Sequence, residues 1–429
     1  MMPSSADALR SPVLVNLSSL AGAALTDPLF PAHHAIKERY SRTLKSVNVI
    51  SLQALLGNAT WKGDEPLWER IANTGWIRRR KGQFVELKVF LAMPHLNNKA
   101  SWVLRVDSDS VFVRPVHLRQ HLTTSFAGGR FTLVHQLSNG TCGAWPHPAN
   151  TSNDFLDLDD PRYFGYSLSS FWLFEPAVYS RFAAYVLASR SMPDIVAWIE
   201  KRGAMPHSAN PSGASTGPAN PLGNLLMTDV YYRYLLNIDR RRDAYRSVEA
   251  DALMRARPLL RRKCGFRMHS DAELARAGAD ATRQIAKVYE ELNGHLPTWV
   301  SQAGCSTNAL AEFNVRVVNA SRHIFLNTIA SGCQDIIRRA FTKTAHWPPI
   351  SAELPTTSGS GGHAHARKED GRVALLTPLH PKDLPKLHTF LRSAHDFVAD
   401  FEEVGLHIVV TSDAEIAVVR ESLKGVSPK

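Results

Sequence analysis

The stretch Ser101–Pro115, SWVLRVDSDSVFVRP, sets two carboxylates where a buried strand would exclude them. Trp102 to Val106 is apolar apart from Arg105 and reads as a strand covered on both faces. Asp107 and Asp109 end the run, and a second apolar stretch begins at Val111. In an open α/β sheet, ligands bind outside the carboxyl ends of the strands, which is where this pair falls. Carboxylates one residue apart there can both turn toward a hard divalent cation, whose shell is completed by water and phosphate oxygens. The competing reading is a polar turn whose aspartates only cap backbone N–H groups.

Outward from this point the chain alternates strands and helices. Val47–Gly57 (VNVISLQALLG) reads as a strand running into a short helix, and Gly82–Leu96 (GQFVELKVFLAMPHL) as a core helix with one face on a sheet. Downstream, Phe131–Gln136 is a strand, and the turn-rich segment Asn139–Tyr166 has the composition of a function-bearing loop. SSFWLFEPAVYSRFAAYVLAS gives a strand and a helix, Gly203–Gly223 a Pro/Gly/Ser/Asn-rich loop, and LLMTDVYYRYLL (Leu225–Leu236) a further helix. Helices are also expected at Asp271–Leu292 and Ser331–Phe341.

Pro348–Gly371 offers no apolar face and reads as a linker. Beyond it the pattern is β-α-β-α, the opening of a doubly wound sheet. The expected organisation is a domain over residues 1–347 with at best one doubtful strand before Val47, a linker over 348–371, and a segment 372–429. That segment either completes the first sheet or opens a truncated second copy. Its strands are too apolar to stay exposed, so Val373–Thr377 and His407–Thr411 are expected to pair in parallel beside the strand ending at Asp107.

Composition narrows the class. With 429 residues, 44% of them hydrophobic, the chain can build a large core, and its net charge of +11 favours anionic partners. The basic runs IRRRK, DRRRD and RRKC stand beside no nucleic-acid-binding signature, so nucleic acid is not an expected partner. Cys142, Cys264, Cys305 and Cys333 form no CxxC pair, which argues against a structural zinc site. Five N-x-S/T tripeptides, at Asn16, Asn58, Asn139, Asn150 and Asn319, mark potential glycosylation if the chain enters a secretory compartment. The N-terminal residues give no clear signal peptide, and no apolar run reaches the roughly 18 residues of a membrane span.

A strand ending in D-x-D, followed directly by a short apolar strand and a proline (VDSDSVFVRP), resembles the metal-binding motif of GT-A-fold glycosyltransferases. The helix GQFVELKVFLAMPHL looks like the one preceding that strand, and TDVYYRYLL is similar to an acidic, tyrosine-rich helix of some glycosyltransferase-like families. The resemblance spans about Val47 to His269, and only the D-x-D context in it is specific.

It implies an α/β fold with a GT-A-like (Rossmann-like), mixed, mostly parallel sheet flanked by helices. The implied reaction moves a sugar from a nucleotide-sugar donor to a hydroxyl of a glycan, protein or small-molecule acceptor, with Mn²⁺ or Mg²⁺ as cofactor. Asp109 would bind the metal and Asp107 its shell or the ribose. Lys88 would face the diphosphate, against a reading as a solvated lysine, and Thr377–His380 would lie near the nucleotide. His269 would be a late metal ligand. Asp229 would bind the acceptor or act as general base, against a reading as a helix-start acid favoured by the dipole. Trp172 and Glu175 would line the acceptor side. With the sequons, the resemblance is compatible with the secretory pathway or Golgi. Two other readings remain: a haloacid dehalogenase-type phosphohydrolase, which also uses D-x-D but wants a flexible loop where VFVRP continues as a strand, and a catalytically inactive nucleotide- or carbohydrate-binding domain.

Overall fold

The computed structural model describes residues 47–61, 63–73, 81–121, 131–137, 146–164, 173–203, 225–241, 244–249, 298–301, 325–328 and 372–424. His269, Trp172, the four cysteines, the linker, the sequons at Asn16, Asn139 and Asn319, and the helices expected at 271–292 and 331–341 lie outside these residues.

In chain order the strands are β1 (Val47–Ser51), β2 (Trp102–Arg105), β3 (Ser110–Phe112), β4 (Phe131–Leu137), β5 (Arg162–Tyr163), β6 (Leu173–Phe174), β7 (Tyr245–Glu249), β8 (Thr298–Ser301), β9 (Phe325–Thr328), β10 (Val373–Pro378) and β11 (Gly405–Val410). The helices are α1 (Leu52–Leu56), α2 (Leu67–Ala72), α3 (Lys81–Ala92), α4 (Pro146–Leu156), α5 (Pro176–Ser189), α6 (Met192–Gly203), α7 (Met227–Asn237), α8 (Leu384–Phe397) and α9 (Asp413–Lys424).

The largest sheet has the order β1-β11-β10-β2-β6, with β6 alone antiparallel to its neighbour. It is a mixed, mostly parallel sheet flanked by helices. β10 is its central strand: Leu375 pairs with Leu406 on one side and with Leu104 on the other. Every residue of β10 is buried, as a parallel strand covered on both faces requires, and this is why VALLTP reads as an unbroken apolar run. The expected pairing of Val373–Thr377 is present. The second strand is set slightly earlier than expected and leaves Thr411 just past its end.

From β10 through α8 to β11 the chain moves one way across the sheet, and from β1 through α3 to β2 it moves the other. Right-handed crossovers therefore place α8 on one face and α3 on the opposite face, and α9 packs against α8. α3 accordingly contacts β10 and β11, while α9 contacts β1 and β11. The two winding directions diverge between β10 and β2, and their carboxyl ends form the crevice of a doubly wound sheet.

The α3 segment departs from the one-faced helix expected of it. Phe84, Leu87, Val89, Phe90 and Ala92 are buried, and so are Glu86 and Lys88 between them. The cause is that α1 and α7 pack on it together with the sheet. Glu86 is tolerated there because Arg105 of β2 answers it: Nη1 donates to Glu86 Oε1 at 2.5 Å and to Thr228 Oγ1 at 3.3 Å, and the Thr228 N–H donates to Glu86 Oε2 at 3.2 Å. The arginine that interrupts an apolar strand is thus half of a buried pair joining sheet, α3 and the start of α7. Around α7 the side chains of Met227 to Leu236 are all buried, and Tyr231 stacks on Tyr179 of α5 at 4.9 Å between centroids.

The segment after Asp109 is tied to the C-terminal elements as well. β3 donates the Phe112 N–H to Ser393 Oγ of α8 at 3.0 Å, and the Asp400 carboxylate accepts the N–H groups of Leu118 and Arg119, both at 2.7 Å. Val116 and Val398 form a parallel bridge. A chain ended at residue 371 would leave apolar strand edges uncovered on β1 and β2 and is expected to lose its cooperative thermal transition. Supplying residues 372–429 as a separate polypeptide should restore it. An unchanged melt of the truncated chain would show that these strands are dispensable.

His407 of β11 is buried, and burial with Lys99 nearby holds its imidazole down to about 4. By register it shares a sheet face with Asn48, Leu376 and Arg105, the face covered by α3. An unfolded His titrates near 6.5, so the unfolded chain binds this proton first. The contribution is intact above about pH 6.5 and is lost as pH falls toward 4, costing about 3 kcal/mol in all. Urea unfolding of His407→Leu should show a flatter pH dependence over that window. An unaltered slope would remove His407 as its source.

Among the described residues no helix is long and apolar enough to cross a membrane.

Candidate functional site

β2 ends at Arg105, and the Val106 N–H still bonds Leu376 O of β10 at 2.8 Å. The chain then reverses: the Ser110 N–H donates to Asp107 O at 3.0 Å, closing a tight turn over Asp107–Ser108–Asp109–Ser110 before β3 begins. The D-x-D pair therefore sits on a turn at the carboxyl end of β2, beside the end of β10. The turn reading and the ligand reading describe the same backbone. The pKa of the Asp109 carboxyl is pushed up to about 7, first by burial and then by the charge of Asp107. Lys386 opposes this rise and Asp383 adds to it.

Asp383 and Lys386 come from the start of α8, where Lys386 Nζ lies 3.0 Å from Asp383 Oδ1. The turn between β10 and α8 forms the opposite wall of the crevice. Thr377 is fully buried at the end of β10, and its Oγ1 has no hydrogen-bond partner among the described residues. Two residues on, Leu379 donates its N–H to Val409 O and accepts Lys88 Nζ at 2.7 Å on its carbonyl.

Lys88 is not a solvated lysine. It is buried, its ammonium lies 4.6 Å from the Phe84 ring centroid, and burial lowers its pKa to about 7 against the opposing charges of Glu415 and Asp383. Glu415 is anchored by accepting the Thr411 N–H at 2.7 Å. The carboxyl ends of β2, β10 and β11 thus gather Asp107, Asp109, Thr377, Lys88, Asp383, Lys386 and Glu415.

A hard divalent cation fits the donor chemistry at Asp107 and Asp109: oxygen ligands only, and a like-charge repulsion that the ion would relieve. Among the described residues no three His, Cys, Asp or Glu side chains converge as a ligand set, so water and ligand oxygens would complete the shell.

Asp229 is placed differently from this group. It is fully buried at the start of α7, where Oδ1 accepts the Phe164 N–H at 2.7 Å and Oδ2 accepts Arg233 Nε at 2.9 Å. Burial raises its pKa against the opposing charge of Arg233. Arg233 in turn grips the 160–162 turn through Asp160 O at 2.7 Å and through Arg162 O. Glu175 is likewise engaged, accepting from Arg241 Nη1 at 2.8 Å and from the Tyr245 hydroxyl at 2.6 Å.

The sequence reading passed over Asp383, Lys386 and Glu415. Their signal was the acid and lysine in HPKDLPK, just past a strand whose carboxyl end had been singled out, and the acid at the third position of α9. No protein-family model, no curated protein and no solved structure matches the chain.

Proposed function

We propose that this chain is a GT-A-like glycosyltransferase that moves a sugar from a nucleotide-sugar donor to a hydroxyl acceptor with Mn²⁺ or Mg²⁺ bound. The carrying observation is the Asp107/Asp109 pair on a turn at the carboxyl end of β2, where the winding of a doubly wound sheet changes direction. The order of the sheet supports the reading. A GT-A domain normally begins with a β-α-β unit that forms the nucleotide-binding half of its sheet, and in this reading β10-α8-β11 is that unit, joined beside β2.

Asp109 and Asp107 are the residues that would hold the cation, which when bound supplies charge neutralisation for the departing nucleoside diphosphate. Lys88 and Lys386 add positive potential to the same crevice. The buried Thr377 hydroxyl offers a hydrogen bond that the described residues leave unmade, and a donor group could take it. Asp229 and Glu175 serve the fold in this reading, because their oxygens are bound within it.

Thermal melts of the full chain with a panel of nucleotide sugars, with and without Mn²⁺, test the proposal. The true donor at about 100 times its Kd should stabilise the chain by about 2.7 kcal/mol. Stabilisation should require the metal, and turnover should release nucleoside diphosphate. Release of inorganic phosphate from a phosphomonoester would transfer the site to the phosphohydrolase reading. Binding without release in the presence of varied acceptors would leave a nucleotide-binding domain.

A further inference from the structure

Two of the five sequons lie in described elements, and the fold treats them in opposite ways. Asn150-Thr151-Ser152 is helical, inside α4. Thr151 and Ser152 are buried, and with Ser152 the hydroxyl that completes the sequon is shut inside the fold. Asn58-Ala59-Thr60 is placed at the surface. α1 stops at Leu56, Gly57 takes the left-handed backbone at φ 55°, and Asn58 follows in the turn. Asn58 and Thr60 are both exposed.

The surroundings are open as well as exposed. A Cβ built on Gly57 or on Gly63, across the same excursion, meets nothing within 4 Å. The excursion is nevertheless held at its base. The Ala59 N–H bonds Leu56 O at 3.1 Å, the Leu67 N–H bonds Ala59 O at 2.8 Å, and Thr60 and Pro66 form an antiparallel bridge. Asn58 therefore projects from a fixed turn at the β1 end of the sheet order, with three strand spacings between β1 and β2, about 14 Å in all.

We propose that Asn58 is an acceptor for an N-linked oligosaccharide, and that Asn150 is excluded by the fold. The donor class is a lipid-linked oligosaccharyl diphosphate. The Asn58 amide nitrogen forms a bond to the anomeric carbon, the bond from that carbon to the diphosphate oxygen breaks, one amide proton is released, and the lipid diphosphate departs. A glycan at Asn58 displaces no packed group, so the folded chain accommodates it. One at Asn150 requires the Ser152 hydroxyl, which the folded chain buries. The proposal does not depend on the chemistry at Asp107 and Asp109.

The test is expression of the full chain behind a cleavable secretory leader in cultured eukaryotic cells, followed by enzymatic deglycosylation in H₂¹⁸O and peptide mapping. Asn58 should be recovered as labelled Asp in most secreted molecules and Asn150 as unlabelled Asn. Asn58→Gln and Thr60→Ala should each abolish the Asn58 label, Thr60→Ser should keep it, and Asn58→Gln should leave the melting temperature of the deglycosylated chain unchanged. Unlabelled Asn58 in chains whose leader has been removed would overturn the proposal. Label at Asn150 in folded, secreted protein would overturn the exclusion.

Discussion

Asp109→Asn is expected to remove transfer activity by more than about 100-fold, beyond what loss of an outer-shell partner of a metal site costs. The replacement keeps the side chain's shape and removes the negative charge that the ionised carboxylate carries. That charge stands in a crevice already holding Asp107 and Asp383, with Lys386 as counterweight. The melting temperature of the variant without metal should equal or exceed that of the parent, because a repulsion has been removed and no packed group has been lost. Its Mn²⁺-dependent stabilisation by donor should vanish. Parent-like metal dependence in this variant would show that Asp109 holds no cation.

Asp229→Ala should instead act on the fold. Arg233 is fully buried, and its guanidinium depends on Asp229 for its only carboxylate partner among the described ion pairs. Removing one partner of a buried pair leaves an uncompensated charge and costs about 3–5 kcal/mol. The Phe164 N–H loses its acceptor in the same step. Urea unfolding should show the loss, and the double variant Asp229→Leu with Arg233→Met should recover much of it, since an apolar pair of similar volume often replaces a buried ion pair at little cost. A general base would behave in the opposite way, with lost turnover at an unchanged urea midpoint.

These two aspartates show what was legible in the sequence and why the rest was not. Asp107 and Asp109 could be placed because an apolar strand ending abruptly is a local signal, and β10 and β11 because their apolar runs demanded a covered place in a sheet. Arg105 could be recognised as out of place but not explained. Its partners Glu86 and Thr228 lie 19 and 123 positions away, and nothing in either local pattern announces the pairing. Asp229 looked like an accessible acid at a helix start because its burial depends on an N–H 65 positions away. Asp383 and Lys386 escaped notice for a related reason: their relevance follows from which strand lies beside β10, a fact of topology.

The central position of β10 also sets a timetable for folding. Ser51 at the end of β1 bonds Asp413 at the start of α9, 362 positions later in the chain. At the usual 5–20 residues per second of synthesis, β1 waits about 20–70 s for β11, the strand that flanks it. The D-x-D strand waits for β10 in the same way, so the crevice cannot assemble before β10 has been made. Such long-range parallel pairing is slow even once the chain is complete, because loop closure must precede the contacts that reward it. During that interval β1 lacks β11 and the apolar β2 lacks β10, which makes the nascent chain a natural client for chaperones that shield hydrophobic segments.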